Sequence, residues 1–461
     1  MNIKNNNRLI ILCTGIVLLA ELFMIYLDKA MILLISLLII LFLTLFFYSR
    51  KFSLLVLLAS IVMDKISITI GGITITIGMV IVILTFIKFM LNGSIFSLKI
   101  VKGGNLNKII ISCFILITLL VTSSLFAVDK VGALSKTIQF IFLMGTAFII
   151  YIYTKEFEVR YILKCIIITG SLNIILGILQ FLGYYLGFNI NSIFSLFDKL
   201  NGRAYYGISV VNIGGTIVPR MNGFFVDPAP FAGFVTTLIC IIFCMNLYKM
   251  NFKNIITLAI CSVSVLLSFS RSAWLGTGVT LILLIIFINF NRKYKSFKIN
   301  LSIVILITLL ILLFKDRIYF IVERILQTFQ IGDVSSDGHK SMAVYAIKAF
   351  ISNPIIGIGL NNFKDFVGYN TMTHSMYLTF LSETGILGSL AYFYIWFNIM
   401  RKLYIKRNYS NEIVCIFFIL LSILISNIGY DYYNQLYIWS YIGIAIGLID
   451  KEENLSVEAK M

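Results

Sequence analysis

The chain has 461 residues, of which 60% are hydrophobic and 12% charged, with a mean hydropathy of +0.99. That is too little polar material to cover a water-soluble globule, so a soluble enzyme or binding module is excluded and a polytopic membrane protein is expected. The net charge of +17 does not point to nucleic acid, because Lys and Arg sit in small groups between apolar runs rather than in one stripe or tail.

Apolar runs able to cross a hydrocarbon core of roughly 30 Å, each about 20 helical residues, recur from end to end. The fold class expected is an all-α polytopic membrane protein with about 12 to 14 transmembrane helices. The spacing places them near 9–26, 30–48, 52–63, 74–91, 109–125, 138–153, 161–183, 231–248, 254–270, 273–290, 299–314, 376–399, 412–428 and 435–449. The first has a basic flank but no small-residue cleavage site, so it reads as a retained helix. The third is short for a span, and its neighbour "ISITIGGITITIG" (66–78) alternates with period two around a glycine pair, as an extended hairpin does.

Basic groups mark every second joint: Lys4/Arg8, Arg50/Lys51, Lys99/Lys102/Lys108, Lys155/Arg160, Lys249/Lys253, Arg292/Lys293/Lys295/Lys298 and Arg401/Lys402/Lys406/Arg407. By the positive-inside rule these are cytoplasmic, as are both termini. The seven cysteines fall inside apolar runs, where a thiol packs as a small hydrophobe; no disulfide framework or metal knuckle is indicated. The main ionisable residues within apolar runs are Glu21 and Glu383.

The whole chain, 1–461, reads as a single integral membrane domain with two long joints, 183–230 and 315–374, both on the outer face under this orientation. Long loops between short-looped helices commonly carry function. The first is rich in aromatics and glycine and ends in "NIGGTIVPRMNGFFVDPAPFAG". The second contains an amphipathic helix in "GHKSMAVYAIKAFISNP", stopped by Pro354, and the turn "IIGIGLNNF". "DVSSDGH" (333–339) offers Asp333, Asp337 and His339 but reads as a polar turn, because spacing supplies no further ligand.

Three cations stand on the outer face. Arg220 lies in the first loop, where a solvated surface arginine is the plain reading, and Arg271 in "LLSFSRSAWLG" sits between two runs where the topological rule disfavours a cation; snorkelling or a carbonyl partner accounts for it structurally, and phosphate capture by its fork of donors is the functional reading. His374 starts the twelfth helix. Gly385 is eleven residues on, close to three turns, which puts it on the same face about 16 Å deeper and predicts a smooth groove for a lipid tail; helix packing accounts for the glycine equally well. Glu383 points nearly the opposite way, to anchor a neighbouring helix or pair with a buried cation rather than share the histidine's substrate. The Asp-Pro step at Asp227 reads as a turn before a helix. Two arginines beside a histidine describe an anion site next to a potential base.

Four stretches, "PRMNGFFVDPAPFAGF" (219–234), "SFSRSAWLG" (268–276), "NPIIGIGLNNF" (353–363) and "HSMYLTFLSETGILG" (374–388), resemble the O-antigen ligase and O-antigen polymerase superfamily. The resemblance covers roughly residues 50–450 and is most specific in the last stretch, where His374 and Gly385 match the family's spacing. It implies a metal-independent glycosyltransferase of GT-C architecture acting on undecaprenyl-diphosphate-linked sugars at the outer face of the bacterial cytoplasmic membrane. Arg220 and Arg271 correspond to arginines that hold the diphosphate, and His374 to the histidine needed for transfer. Lys340, Asp227, Tyr377, Gly385 and Glu383 are the substrate-binding candidates. The chain departs from the pattern at "GHKSM", where Lys340 stands in for an arginine, and in the interval between Arg220 and the following glycine.

The expected function is polymerisation of lipid-linked repeat units of an O-antigen, capsule or exopolysaccharide. Ligase-type transfer to another acceptor is the alternative, and a lipid-linked oligosaccharide transporter is the alternative of another class. The high Ile, Lys and Asn content suggests an AT-rich genome and a Gram-positive host without a lipopolysaccharide core, which favours the polymerase. The expected partners are the undecaprenyl-diphosphate-linked oligosaccharide, the lipid bilayer and a chain-length regulator, with no cofactor, metal or nucleic acid.

Overall fold

The computed structural model describes residues 49–70, 73–92, 105–200, 208–247, 251–291, 318–327 and 334–458. The expected helices at 9–26, 30–48 and 299–314 lie outside the described residues, as do Glu21, Asp333 and the basic groups Lys4/Arg8, Lys99/Lys102 and Arg292 to Lys298.

The described elements run α1 (Arg50–Ser60), β1 (Ser67–Ile70), β2 (Ile73–Thr76), α2 (Ile77–Leu91), α3 (Asn105–Phe126), α4 (Lys130–Glu156) and α5 (Val159–Leu186). A 3₁₀ turn (Ile190–Phe194), α6 (Ser195–Leu200), β3 (Val210–Ile213) and β4 (Thr216–Pro219) make up the first long joint. Then come α7 (Pro228–Met245), α8 (Phe252–Leu267) and α9 (Arg271–Phe290). The second long joint holds α10 (Ile318–Leu326), α11 (Val334–Ser352) and α12 (Phe363–Val367), and the chain finishes with α13 (Met376–Ile405), α14 (Asn411–Ser426) and α15 (Leu436–Glu458).

The fold is helical and polytopic, as the composition requires. Six of the described helices are long and apolar enough to cross a membrane: α3 from Lys108, α4, α5, α7, α9 and α13; α2, α8 and α14 are shorter apolar helices. The period-two stretch forms a hairpin, with β1 and β2 paired antiparallel from Ser67↔Thr76 to Ile70↔Ile73. Thr76 then caps α2 by accepting the Met79 amide at 3.3 Å, so strand and helix meet without a loop. The helix expected in the second joint is α11.

α7 lies at the centre, buried along nearly its whole length. α15 packs closely along α4, because Gly443 and Gly447 leave no side chain where the Ala147 carbonyl and Thr154 approach. The sequence places the end of the last helix at 449, whereas α15 continues to Glu458. The reason is ionic: Asp450 pairs with Lys155 and accepts the Tyr151 hydroxyl at 2.9 Å, and Glu453 pairs with Lys402 at 3.3 Å. Arg50–Glu156 and Arg160–Glu412 add to the same end of the bundle. Three of the basic groups assigned to the cytoplasm therefore collect at one end, and the two long joints at the other.

α13 is a broken helix. Gly385 has φ 65° and ψ −169°, a conformation open essentially only to glycine. An unbroken helix would bond the Ile386 and Leu387 amides to the carbonyls of Ser382 and Glu383. Here those carbonyls accept from Ile358 (3.1 Å) and Gly359 (2.8 Å), while Ile386 and Leu387 donate to Pro354 (2.9 Å) and Ile355 (3.3 Å). The "NPIIGIG" turn is thus inserted into the opened turn of the helix, and each segment satisfies the amides and carbonyls the other exposes.

Candidate active site

The end of the bundle away from the ionic cluster gathers four segments. The first is the loop from Arg220 to Asp227. Buried Gln180 and Asn173 of α5 accept the Gly223 and Phe224 amides at 2.8 and 2.9 Å. Lys65 donates to Asn191 (3.2 Å), Asn222 (3.1 Å) and the Gly223 carbonyl (2.8 Å). Burial, opposed by Asp198, brings the Lys65 amine down to about 7. Nearby, burial lifts the Asp64 carboxyl to about 7, with a Gln435 hydrogen bond pulling the other way.

So pinned, the loop presents Arg220 on the joint between α8 and α9. The Arg220 Nε donates to the Ser268 carbonyl at 2.8 Å, and the Met221 amide to that of Leu267 at 3.0 Å. Phe269 turns this joint at φ 49° and Arg271 opens α9. Burial opposes the charge on Arg220, Asp227, Tyr430 and Tyr432 support it, and Arg271 adds a repulsion, so the two guanidinium groups share one field. The Asp227 side chain accepts the Ala229 amide at 2.9 Å and caps α7, as the Asp-Pro step suggests.

His374 enters from the residues just ahead of α13, held at φ 58°. Burial lowers its pKa below the ordinary 6.5, and Asp227 acts in the opposite direction. Asp227 is therefore the common acidic neighbour of Arg220 and His374, although 147 residues separate it from the histidine. Arg271 is the first residue of α9 and His374 lies just ahead of α13, so both side chains stand at helix N-termini, where the partial positive charge of the helix favours an anion.

The joint between α14 and α15, 427–435, closes the site and was not singled out by sequence reasoning. Tyr430 and Tyr432 lie with ring centroids 4.7 Å apart. The Tyr432 hydroxyl reaches Ser272 (3.4 Å) and the Ala229 carbonyl (3.1 Å), tying α9 to α7. Asp431 accepts Thr379 at 2.5 Å, and Thr379 contacts Thr373 beside His374 at 2.5 Å. Burial raises the Asp431 carboxyl to about 6, against Thr379 and Lys136. The signal available was composition: "GYDYYNQ" is a tyrosine-rich, polar joint on the expected outer face.

The structure also separates residues that the sequence grouped. Gly385 does not line a groove running down from His374; the "NPIIGIG" backbone fills that space, and a Cβ on Gly385 would come within 2.6 Å of the Gly357 amide. Glu383 is buried and accepts the amides of Asn361 (2.9 Å) and Phe363 (3.2 Å), so it anchors a neighbouring element. Tyr377 stacks on Phe393 at 5.2 Å and donates to the Leu424 carbonyl at 2.9 Å. Lys340 is exposed and pairs with Asp337 at 3.3 Å. Its neighbour His339 instead reaches His374, with ring centroids 4.3 Å apart. Among the described residues no group of three or more His, Cys, Asp or Glu is arranged to hold a metal ion. An apolar cavity of about 570 Å³ lies further along α13, between Ile115 and Leu119 of α3 and Leu387, Leu390 and Phe397.

A comparison with curated proteins gives no match. Residues 256–393 match the family model described as O-antigen ligase. The match begins in α8 and ends in α13, and so takes in Arg271, His339, the inserted turn and His374. Across these residues, less than half of the chain, the protein is similar to the O-antigen ligase family, which supports the resemblance to the O-antigen ligase and polymerase superfamily.

Proposed function

We propose that the protein is a metal-independent membrane glycosyltransferase that polymerises undecaprenyl-diphosphate-linked oligosaccharide units of a surface polysaccharide at the outer face of the cytoplasmic membrane. The observation that carries the reading is the meeting of Arg220, Asp227, Arg271 and His374, from distant parts of the sequence, at the end of the bundle opposite the basic clusters. The family match supports a glycan-transferring enzyme and lends nothing to the transporter alternative.

In this reading a hydroxyl oxygen of one lipid-linked unit attacks the anomeric carbon of another. The bond from that carbon to the diphosphate oxygen breaks, the polyprenyl diphosphate leaves with the electron pair, and the hydroxyl proton passes to His374. Negative charge grows on the leaving group, where fixed guanidinium donors lower the barrier more than they stabilise the ground state. Burial favours the neutral His374 imidazole, the form that can accept a proton, against the pull of Asp227. The polyprenyl tail lies along apolar α13, in the cavity beside Leu387 and Leu390.

The test is reconstitution of the purified protein in proteoliposomes with lipid-linked oligosaccharide isolated from the producing cells. A ladder of longer lipid-linked glycans, with one undecaprenyl diphosphate released per bond, is expected. Transfer to an added acceptor without a ladder would establish the ligase reaction instead, and movement of intact lipid-linked glycan across the bilayer would establish transport.

A further inference from the structure

The two histidines of the chain come from different elements and meet. Resting on the transferase reading, we propose that His339 is a positioning residue for His374: its ring fixes the plane of the reacting imidazole and restricts the pair to a single proton.

The geometry supports both parts. The ring centroids are 4.3 Å apart and the planes differ by 42°, a tilted face contact. His374 stands at a positive φ of 58°, rare for a residue with a Cβ, so its direction is imposed by the surrounding structure. On its C-terminal side the Met376 amide donates to the Asn427 carbonyl at 3.2 Å, and Thr373 closes on the Ser375 carbonyl at 3.0 Å. α11, which carries His339, is held in turn: Met342 and Ala346 are buried with Phe363, and Thr371 bonds the Met342 sulfur at 3.3 Å. The His339 ring is therefore a fixed wall beside His374.

The charges around the pair define its titration. Asp227 favours the imidazolium of His374. Asp337 and Lys340, on the same helix as His339, pair with each other. Arg220 feels both Asp227 and Arg271, and Asp431 is engaged by Thr379 one step behind Thr373. Against this background, two imidazolium ions in ring contact repel, so a second proton is disfavoured and His374 stays neutral to lower pH than it would alone.

With only two histidines, ring-¹⁵N-labelled protein in detergent gives two imidazole signal sets, which His374→Ala assigns. In wild type the pair titrates in two separated steps. In His339→Phe and His339→Gln the His374 signal titrates in one step at higher pH, and the acid limb of turnover moves upward with it. His339→Phe keeps the flat wall and its turnover at high pH, whereas His339→Gln loses roughly ten- to a hundredfold at every pH as the ring loses its plane. A His374 titration unchanged in both variants, or wild-type turnover in His339→Gln at all pH values, overturns the proposal. The titration is independent of activity. An active His374→Ala enzyme would sink the transferase role of His374 while leaving the ring coupling to be read from the spectra.

Discussion

The Glu383 carboxylate holds the Asn361 amide at 2.9 Å across the break in α13, and its other oxygen takes the Phe363 amide at 3.2 Å. One buried side chain thereby replaces backbone bonds that neither the turn nor the helix can supply. Glu383→Gln exchanges one acceptor for an amide that opposes a backbone donor, and a buried unsatisfied pair of this kind costs about 1–3 kcal/mol. The melting temperature in detergent should fall accordingly; one equal to wild type would contradict the anchoring role.

Gly357 and Gly385 make the insertion possible. Gly357 has φ 73°, and a Cβ there would collide with the Glu383 carbonyl group. Alanine at either position meets backbone rather than a movable side chain and adds positive-φ strain of the order of 1–3 kcal/mol. Both variants should lose folded protein in the membrane, measured as monodisperse yield, while Gly278→Ala, which meets nothing within 4 Å, should not. Equal yields for all three would remove the structural argument for the inserted turn.

How much of this was legible in the sequence depends on the range of the cause. The 66–78 hairpin was readable because alternation is a local property, and the helices because hydropathy is. The break at Gly385 was not: "SETGILG" continues an apolar helix in composition, and only the turn at 353–359, some thirty residues earlier, opens it. That distance also explains why the supposed groove below His374 is filled. That Arg220, Arg271 and His374 stand toward one end of the bundle was readable from spacing and charge. His339 was not, since "DVSSDGH" alone is a polar turn, and its approach to His374 is set by the docking of α11.

Both arginines should be needed for turnover. Arg271 starts α9, and Arg271→Ala should lower turnover about 10²–10³-fold, as loss of a donor to developing charge does. Arg271→Lys should recover only part, because an ammonium lacks the guanidinium fork. Arg220 also bonds the Ser268 carbonyl at 2.8 Å, so Arg220→Lys should reduce thermal stability as well as turnover. An Arg220→Lys protein as thermally stable as wild type would contradict the structural part of its role.

Turnover in proteoliposomes should depend on pH through His374. A base works when neutral, and burial lowers its pKa, so the active range should extend below the ordinary histidine value of 6.5. Asp227→Asn keeps an oxygen to cap α7 but removes the charge that favours the imidazolium, which should move the acid limb lower still. An upward movement in that variant would show that the limb belongs to another group.

The length distribution of lipid-linked glycan in cells carrying His374→Ala, at membrane levels matched to wild type, reads whether His374 takes part in glycosyl transfer. Single repeat units should accumulate at the outer face, with the longer chains lost. Chains of wild-type length in that variant would contradict that role.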